Sequence, residues 1–175
     1  MHQSELHRRR SLFSASVVFL TLLFVFQFQQ SVFASKYPIP KNHQLNEYEK
    51  EVIRLVNEER KKNGLKPLKT HQDLSFVARK KSADMCDNNY FNHDSPTYGS
   101  PEQMVNDHGI SYYHGVGENI AEGYQTPAET INAWMNSEGH RRNILDPDYT
   151  HIGVGYVDGG GTYGTYWTQQ FIGIP

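Results

Sequence analysis

The hydrophobic period changes at the C-terminal end of this chain, and that change limits the folds open to it. From Asn46 to about Gly139 apolar residues recur at three- and four-residue spacing, the repeat of helices with one buried face. From Ile152 they alternate instead. Ile152, Val154 and Tyr156 are separated by Gly153 and Gly155, a turn follows at Asp158-Gly159-Gly160-Gly161, and the aromatic-rich run Tyr163 to Ile172 returns. That pattern predicts a β-hairpin. Gly115 to Ala121 reads as a third strand or extended segment beside it. Helices first and strands last, without βαβ alternation, predict an α+β fold.

Punctuation residues divide the helical part. Asn46 and Glu49 have capping-box spacing, the stripe Tyr48, Val52, Leu55 and Val56 follows, and Asn63-Gly64 ends the helix. Thr70 with Asp73 predicts the start of a second helix that buries Leu74, Val77, Ala78 and Met85 and turns Arg79, Lys80 and Asp84 to solvent. It gives out at Asn88-Asn89, leaving His93 on a loop. Ser100-Pro101-Glu102-Gln103 caps a short helix closed by Gly109. Thr126-Pro127-Ala128-Glu129 starts another that runs through Ile131, Trp134 and Met135 and stops near Gly139, so that His140 falls just after a helix.

The first 34 residues read as an export signal rather than part of the fold. Arg8, Arg9 and Arg10 precede an apolar run from about Leu12 to Phe28, and Val32-Phe33-Ala34 offers a cleavage site. The alternative is an uncleaved membrane anchor, and Arg9-Arg10 faintly resembles a twin-arginine signal. Residues 35–45, with Pro38 and Pro40, read as an extended leader, and residues 46–175 as one domain. Removing Arg8, Arg9, Arg10 and Glu5 takes the formal charge from −2 to −4. So mildly acidic a chain shows no footprint for nucleic acid or anionic lipid. Its one cysteine, Cys86, excludes an internal disulfide and reads as a small buried hydrophobe.

Three ionisable residues stand out as candidates for chemistry: His93, Glu118 and His140. Glu118 sits in the glycine-rich, apolar stretch Gly117-Glu118-Asn119-Ile120-Ala121, where a carboxylate leaving water needs a partner. Imidazole supplies one and titrates in the physiological range. Two imidazoles and a carboxylate suit a zinc site with an open position, an acid/base site, or a network in which Glu118 bridges both rings and pins two loops. Those readings stay open on the residues alone. Glu138 is a further acid near His140, or a solvated helix-end residue. Trp134 reads as core, Arg141 or Arg142 as a partner for the last helix carbonyls, and His108, His114 and His151 receive no role. No nucleophile elbow, His-Glu-x-x-His helix or Ser-x-x-Lys motif is present.

At these residues the chain resembles the CAP superfamily, also called the SCP domain. Leu55-Val56-Asn57-Glu58-Glu59-Arg60, Phe91-Asn92-His93, Gly117 to Ala121, Trp134 to Leu145 and Ile152 to Tyr156 carry the resemblance, which runs from about Leu45 to Ile174. It implies an α-β-α sandwich in which helices cover both faces of a small antiparallel sheet. It also implies a cleft where His93, Glu118 and His140 meet, with His93 and His140 as ligands when a divalent metal such as Zn²⁺ occupies it. The position three residues after Trp134, where eukaryotic members carry a second glutamate, is Ser137, and Glu138 is its neighbour. The expectation is a secreted bacterial protein, extracellular or associated with the envelope or spore, and monomeric. Its cleft would bind a small ligand, lipid or cell-wall component, or act as a metal-dependent hydrolase on peptides or peptidoglycan.

Overall fold

The computed structural model of the protein describes residues 35–175. The expected signal segment lies outside them. Residues 36–175 form one compact unit. Its elements are α1 Glu47–Lys62, β1 Lys69–Thr70, α2 Gln72–Asp87, α3 Pro101–Asp107, β2 His114–Glu122, α4 Pro127–Asn136, α5 Glu138–Ile144, β3 His151–Gly160 and β4 Gly164–Gly173. The strands lie in the order β1-β3-β4-β2. β4 pairs antiparallel with both β3 and β2, as the hairpin pattern predicts. The two-residue β1, which the sequence did not announce, adds parallel to β3 and makes the sheet mixed rather than purely antiparallel.

Helices cover both faces, giving the α-β-α sandwich. Strand alternation decides which residues meet which layer. Ile152 and Val154 of β3 and Trp167 and Phe171 of β4 join Val52 and Val56 of α1 and Ile131 and Trp134 of α4 in the larger core cluster. On the other face α2 lies almost directly on the backbone of β3. A Cβ at Gly153 would stand 2.4 Å from the Leu74 carbonyl carbon, and one at Gly155 would stand 2.1 Å from the Arg79 nitrogen. These glycines permit the contact; they are not turn residues. Leu74 and Val77 then pack with Met104, Val105 and Ile172.

Most caps stand where the sequence puts them, but one cap, one buried side chain and one helix end differ from the reading. Asn46 and Glu49 form the reciprocal box on α1, and Thr126 and Glu129 form it on α4. α2 is capped by His71 instead of Thr70, because Thr70 is taken into β1 and the His71 imidazole accepts from the Leu74 N–H at 3.1 Å. Asp84 is buried, not solvated. The helix read as one unit to Gly139 breaks at Ser137, which is extended (φ −99°, ψ 123°), and resumes as α5, so His140 lies within a helix. Arg141 reaches back across the break and donates to the Met135 carbonyl at 2.8 Å. Cys86 is buried as expected.

Gly155→Ala should lower stability by about 3 kcal/mol, since neither backbone can yield at this contact. Gly139→Ala, on α5 with nothing within 4 Å of the added Cβ, should raise it by about 0.5 kcal/mol. Urea denaturation of both variants checks the pair. Equal effects would contradict the packing described.

Candidate functional site

The site forms at the free edge of β2. An outer strand has carbonyls that the sheet ladder does not satisfy. Here side chains from α4 and α5 take them. Trp134 Nε1 donates to the Ile120 carbonyl, and Asn143 Nδ2 to the Glu118 carbonyl, each at 3.1 Å. Asn119 Nδ2 donates to the His140 carbonyl at 3.1 Å and to Gln169 Oε1 at 3.0 Å, while its Oδ1 accepts from Asn143 at 2.9 Å. α5 is thereby fastened along the strand edge, and His140 with it.

Glu118 points to the opposite face, toward the side covered by α2. It is 7 % exposed, and both carboxylate oxygens are engaged. Oε1 lies 2.9 Å from His93 Nδ1, and Oε2 accepts from Gln170 Nε2 at 3.1 Å. Gln170 is the residue directly across the ladder from Glu118, so the sheet register itself supplies this partner. His93 keeps half of its side chain in solvent (50 %), with Nε2 as its remaining nitrogen.

Two buried charges on α2 position the loop that carries His93. The Lys81 ammonium, 1 % exposed, donates to the carbonyls of Asn92 and His93, each at 2.7 Å. Burial pulls its pKa down, against the pull of Glu118, Asp84 and Asp94. Asp84 accepts from Ser95 and Thr97, each at 2.6 Å, from Asn88 at 2.8 Å and from the Tyr90 hydroxyl. Burial alone would raise the Asp84 pKa, but these four hydrogen bonds outweigh it and hold the carboxyl below its ordinary value. Sequence reasoning put Asp84 among solvated residues and passed over Lys81 because both are charged, although positions 81 and 84 continue the helical spacing of the buried face.

His140 lines a groove of about 400 Å³ together with Phe91, Ile120, Glu122, Tyr124, Trp134 and Ser137. Its pKa lies below the usual imidazole value, first because burial disfavours the cation and second because His93 repels it. The structure therefore joins His93 directly to Glu118 and sets His140 in a groove that neither of them lines, near enough to His93 to feel its charge. Among the described residues no hydrogen bond links the His140 ring to Glu118, so the three-way bridge is instead a pair with a neighbour. Glu138 is exposed on the first turn of α5 and does not line the groove. Glu122 does, and burial pushes its carboxyl up. Its signal was the alternation of β2, which carries 118, 120 and 122 to one face. The predicted strand ended one residue too early to show it.

Were a metal held by His93 Nε2 and His140, Glu118 behind His93 would be the carboxylate that orients a ligating imidazole. Among the described residues, one group of three side chains brings its donor atoms within 4.8 Å of one another, and it is not the cleft trio but His114, Asp146 and Asp148.

Residues 53–171 match the family model of the cysteine-rich secretory protein family, CAP. The chain belongs to this family. It is 61 % identical over 126 residues to YkwD of Bacillus subtilis, covering 72 % of this chain and 47 % of that protein. It is 42 % identical over 124 residues to the B. subtilis membrane protein YlbC, covering 71 % of this chain and 34 % of YlbC. The chain thus spans less than half the length of these relatives. A solved SCP-domain structure of an extracellular Bacillus anthracis protein superposes with a TM-score of 0.66 at 35 % identity, covering 73 % of this chain and 40 % of that one. The CAP fold and its bacterial branch agree with the resemblance seen in the motifs.

Acid should weaken this CAP domain early. His43, His71, His108, His140 and His151 all titrate below the reference 6.5, each first because burial disfavours the cation. The unfolded chain then binds protons that the folded one resists. Stability is full above about pH 6.5 and is lost as pH falls below it. We expect the urea midpoint to drop between pH 7.5 and 5, and His140→Asn to make the drop shallower. A midpoint constant over that range would contradict the burial of these rings.

Proposed function

We propose that the chain is a binding module acting outside the cell or at its envelope, whose groove takes a small amphipathic ligand such as a wall-derived peptide or a lipid. One observation carries the reading. Both oxygens of the Glu118 carboxylate are already occupied by His93 and Gln170. With only 7 % of its surface exposed, the carboxylate has little access to a proton on a bound substrate, and its two hydrogen bonds serve to hold the His93 ring and the strand register. The groove walls fit recognition better: Phe91 and Tyr124 expose 41 % and 39 % of their surface, while His140, Ser137 and Glu122 add polar groups between them. Apolar walls with a few placed polar atoms are the usual make-up of a ligand site.

His93 and His140 are the residues that would hold a divalent ion in the cleft; when bound, it would polarise a ligand carbonyl or lower the pKa of a water. His93 is oriented for this by Glu118, and the neutral state of His140 leaves a lone pair for a ligand. The extracellular description of the B. anthracis relative and the basic-then-apolar start of the chain support an external location.

Titrating the protein with soluble peptidoglycan fragments, and separately with a short-chain phospholipid, while following NMR shifts tests this reading. Saturable shifts at Phe91, Tyr124 and His140 with no product formed are expected. His140→Ala should weaken binding about tenfold without lowering Tm. Fragment cleavage that a chelator abolishes would establish the hydrolase in its place, and a groove unmoved by either probe would remove the binding role.

A further inference from the structure

We propose that the domain carries a divalent-cation site away from the groove, formed by His114 at the start of β2 and by Asp146 and Asp148 in the loop between α5 and β3, and suited to a zinc-class ion. Their three donor atoms lie within 4.8 Å of one another. His114 Nε2 and Asp148 Oδ2 are 3.9 Å apart. Bonds of about 2.1 Å in a tetrahedral shell put neighbouring donors about 3.4 Å apart. Side-chain rotation alone closes so small a gap, since the side chains of His114 and Asp148 are 46 % and 67 % exposed.

The backbone beneath them is already organised for this approach. Gly173 is the ladder partner of His114. A Cβ there would stand 2.6 Å from the His114 Cβ and 2.9 Å from the Asp148 carbonyl oxygen, so a bare backbone at 173 is what lets the strand and the loop come together. The ladder is irregular between His114 and Gly117, the kind of feature that re-aims a side chain at a strand end. From below, the buried Arg60 guanidinium donates to the carbonyls of Ile144 and Asp146, each at 2.8 Å. Within the loop the Asp148 N–H donates to Asp146 Oδ1 at 2.9 Å. The Tyr149 ring packs against the His114 ring at 5.6 Å and 64°.

The donor set decides the metal class. Calcium and magnesium take all-oxygen shells, whereas one imidazole with two carboxylates favours zinc and its neighbours. Solvent reaches the open side, where water would complete the shell. Such an ion would tie the start of β2 to the loop that follows α5, next to the end of β4. A staple of this kind matters in a chain whose single cysteine, Cys86, is buried and free. The competing possibility, a bare ion pair between protonated His114 and Asp148, needs no metal.

Calorimetric titration of the protein with Zn²⁺ at pH 7.5, joined to thermal melts, separates the two. The wild type should bind one more equivalent than His114→Ala or than Asp148→Asn, and the double variant His93→Ala/His140→Ala should keep that equivalent. With zinc at a hundredfold excess over its Kd, Tm of His93→Ala/His140→Ala should rise by roughly 5 °C or more, and adding His114→Ala to that variant should abolish the rise. Asp148→Asn, near-isosteric on an exposed residue, serves should His114→Ala fold poorly. The proposal is overturned if the wild type takes up no zinc, if His114→Ala and Asp148→Asn bind it as the wild type does, or if the equivalent disappears only with the cleft histidines.

Discussion

A carboxylate that is 7 % exposed and held between His93 and Gln170 sets the terms for the rest of this structure. Glu118 in that position must be paired, because an isolated buried charge is too costly to keep. Its partners come from different parts of the chain. Gln170 is delivered by the register of β2 against β4, and His93 by a loop beyond α2. That loop depends on Lys81 and Asp84, and α2 reaches its place only because Gly153 and Gly155 let it lie on β3. Sheet register, helix packing and site geometry are therefore a single chain of requirements, and an error in any link leaves a buried ion without its partner.

The other half of the cleft follows from a different constraint, the unsatisfied edge of β2. Trp134, Asn119 and Asn143 serve that edge, and in doing so they fasten α5 beside the strand. His140 is carried to the groove by residues whose direct task is backbone hydrogen bonding. This division gives the two histidines distinct characters. His93 is tied to a carboxylate and half open to solvent, while His140 is more enclosed and resists protonation.

Much of this was legible in the residues. The change of hydrophobic period at the C-terminal end gave the α+β class and the hairpin, the family resemblance implied the sandwich, the asparagine and threonine caps placed α1 and α4, and the motifs around His93 and Glu118 named two residues that hydrogen-bond to each other. What escaped was non-local. β1 is only Lys69 and Thr70, too short for any periodicity, and exists because β3 offers a free edge. The break at Ser137 has no proline or glycine of its own to announce it, and Gly139 beside it misled. Asp84 read as solvated because charge on a helix usually is, and Lys81 was passed over. Their burial is explained by loop carbonyls and hydroxyls that reach them only after folding. Glu122 was missed through a strand boundary drawn one residue short.

The central claim is that Glu118 holds the His93 ring by Nδ1 and leaves Nε2 as the remaining nitrogen of a half-exposed side chain. Long-range proton–nitrogen NMR of the imidazoles at pH 7.5 reads this directly. The account predicts His93 in the Nδ1-protonated tautomer in the wild type, with that preference lost in Glu118→Ala. A His93 ring protonated at Nε2 in the wild type, or one whose tautomer is indifferent to removal of the carboxylate, would contradict it.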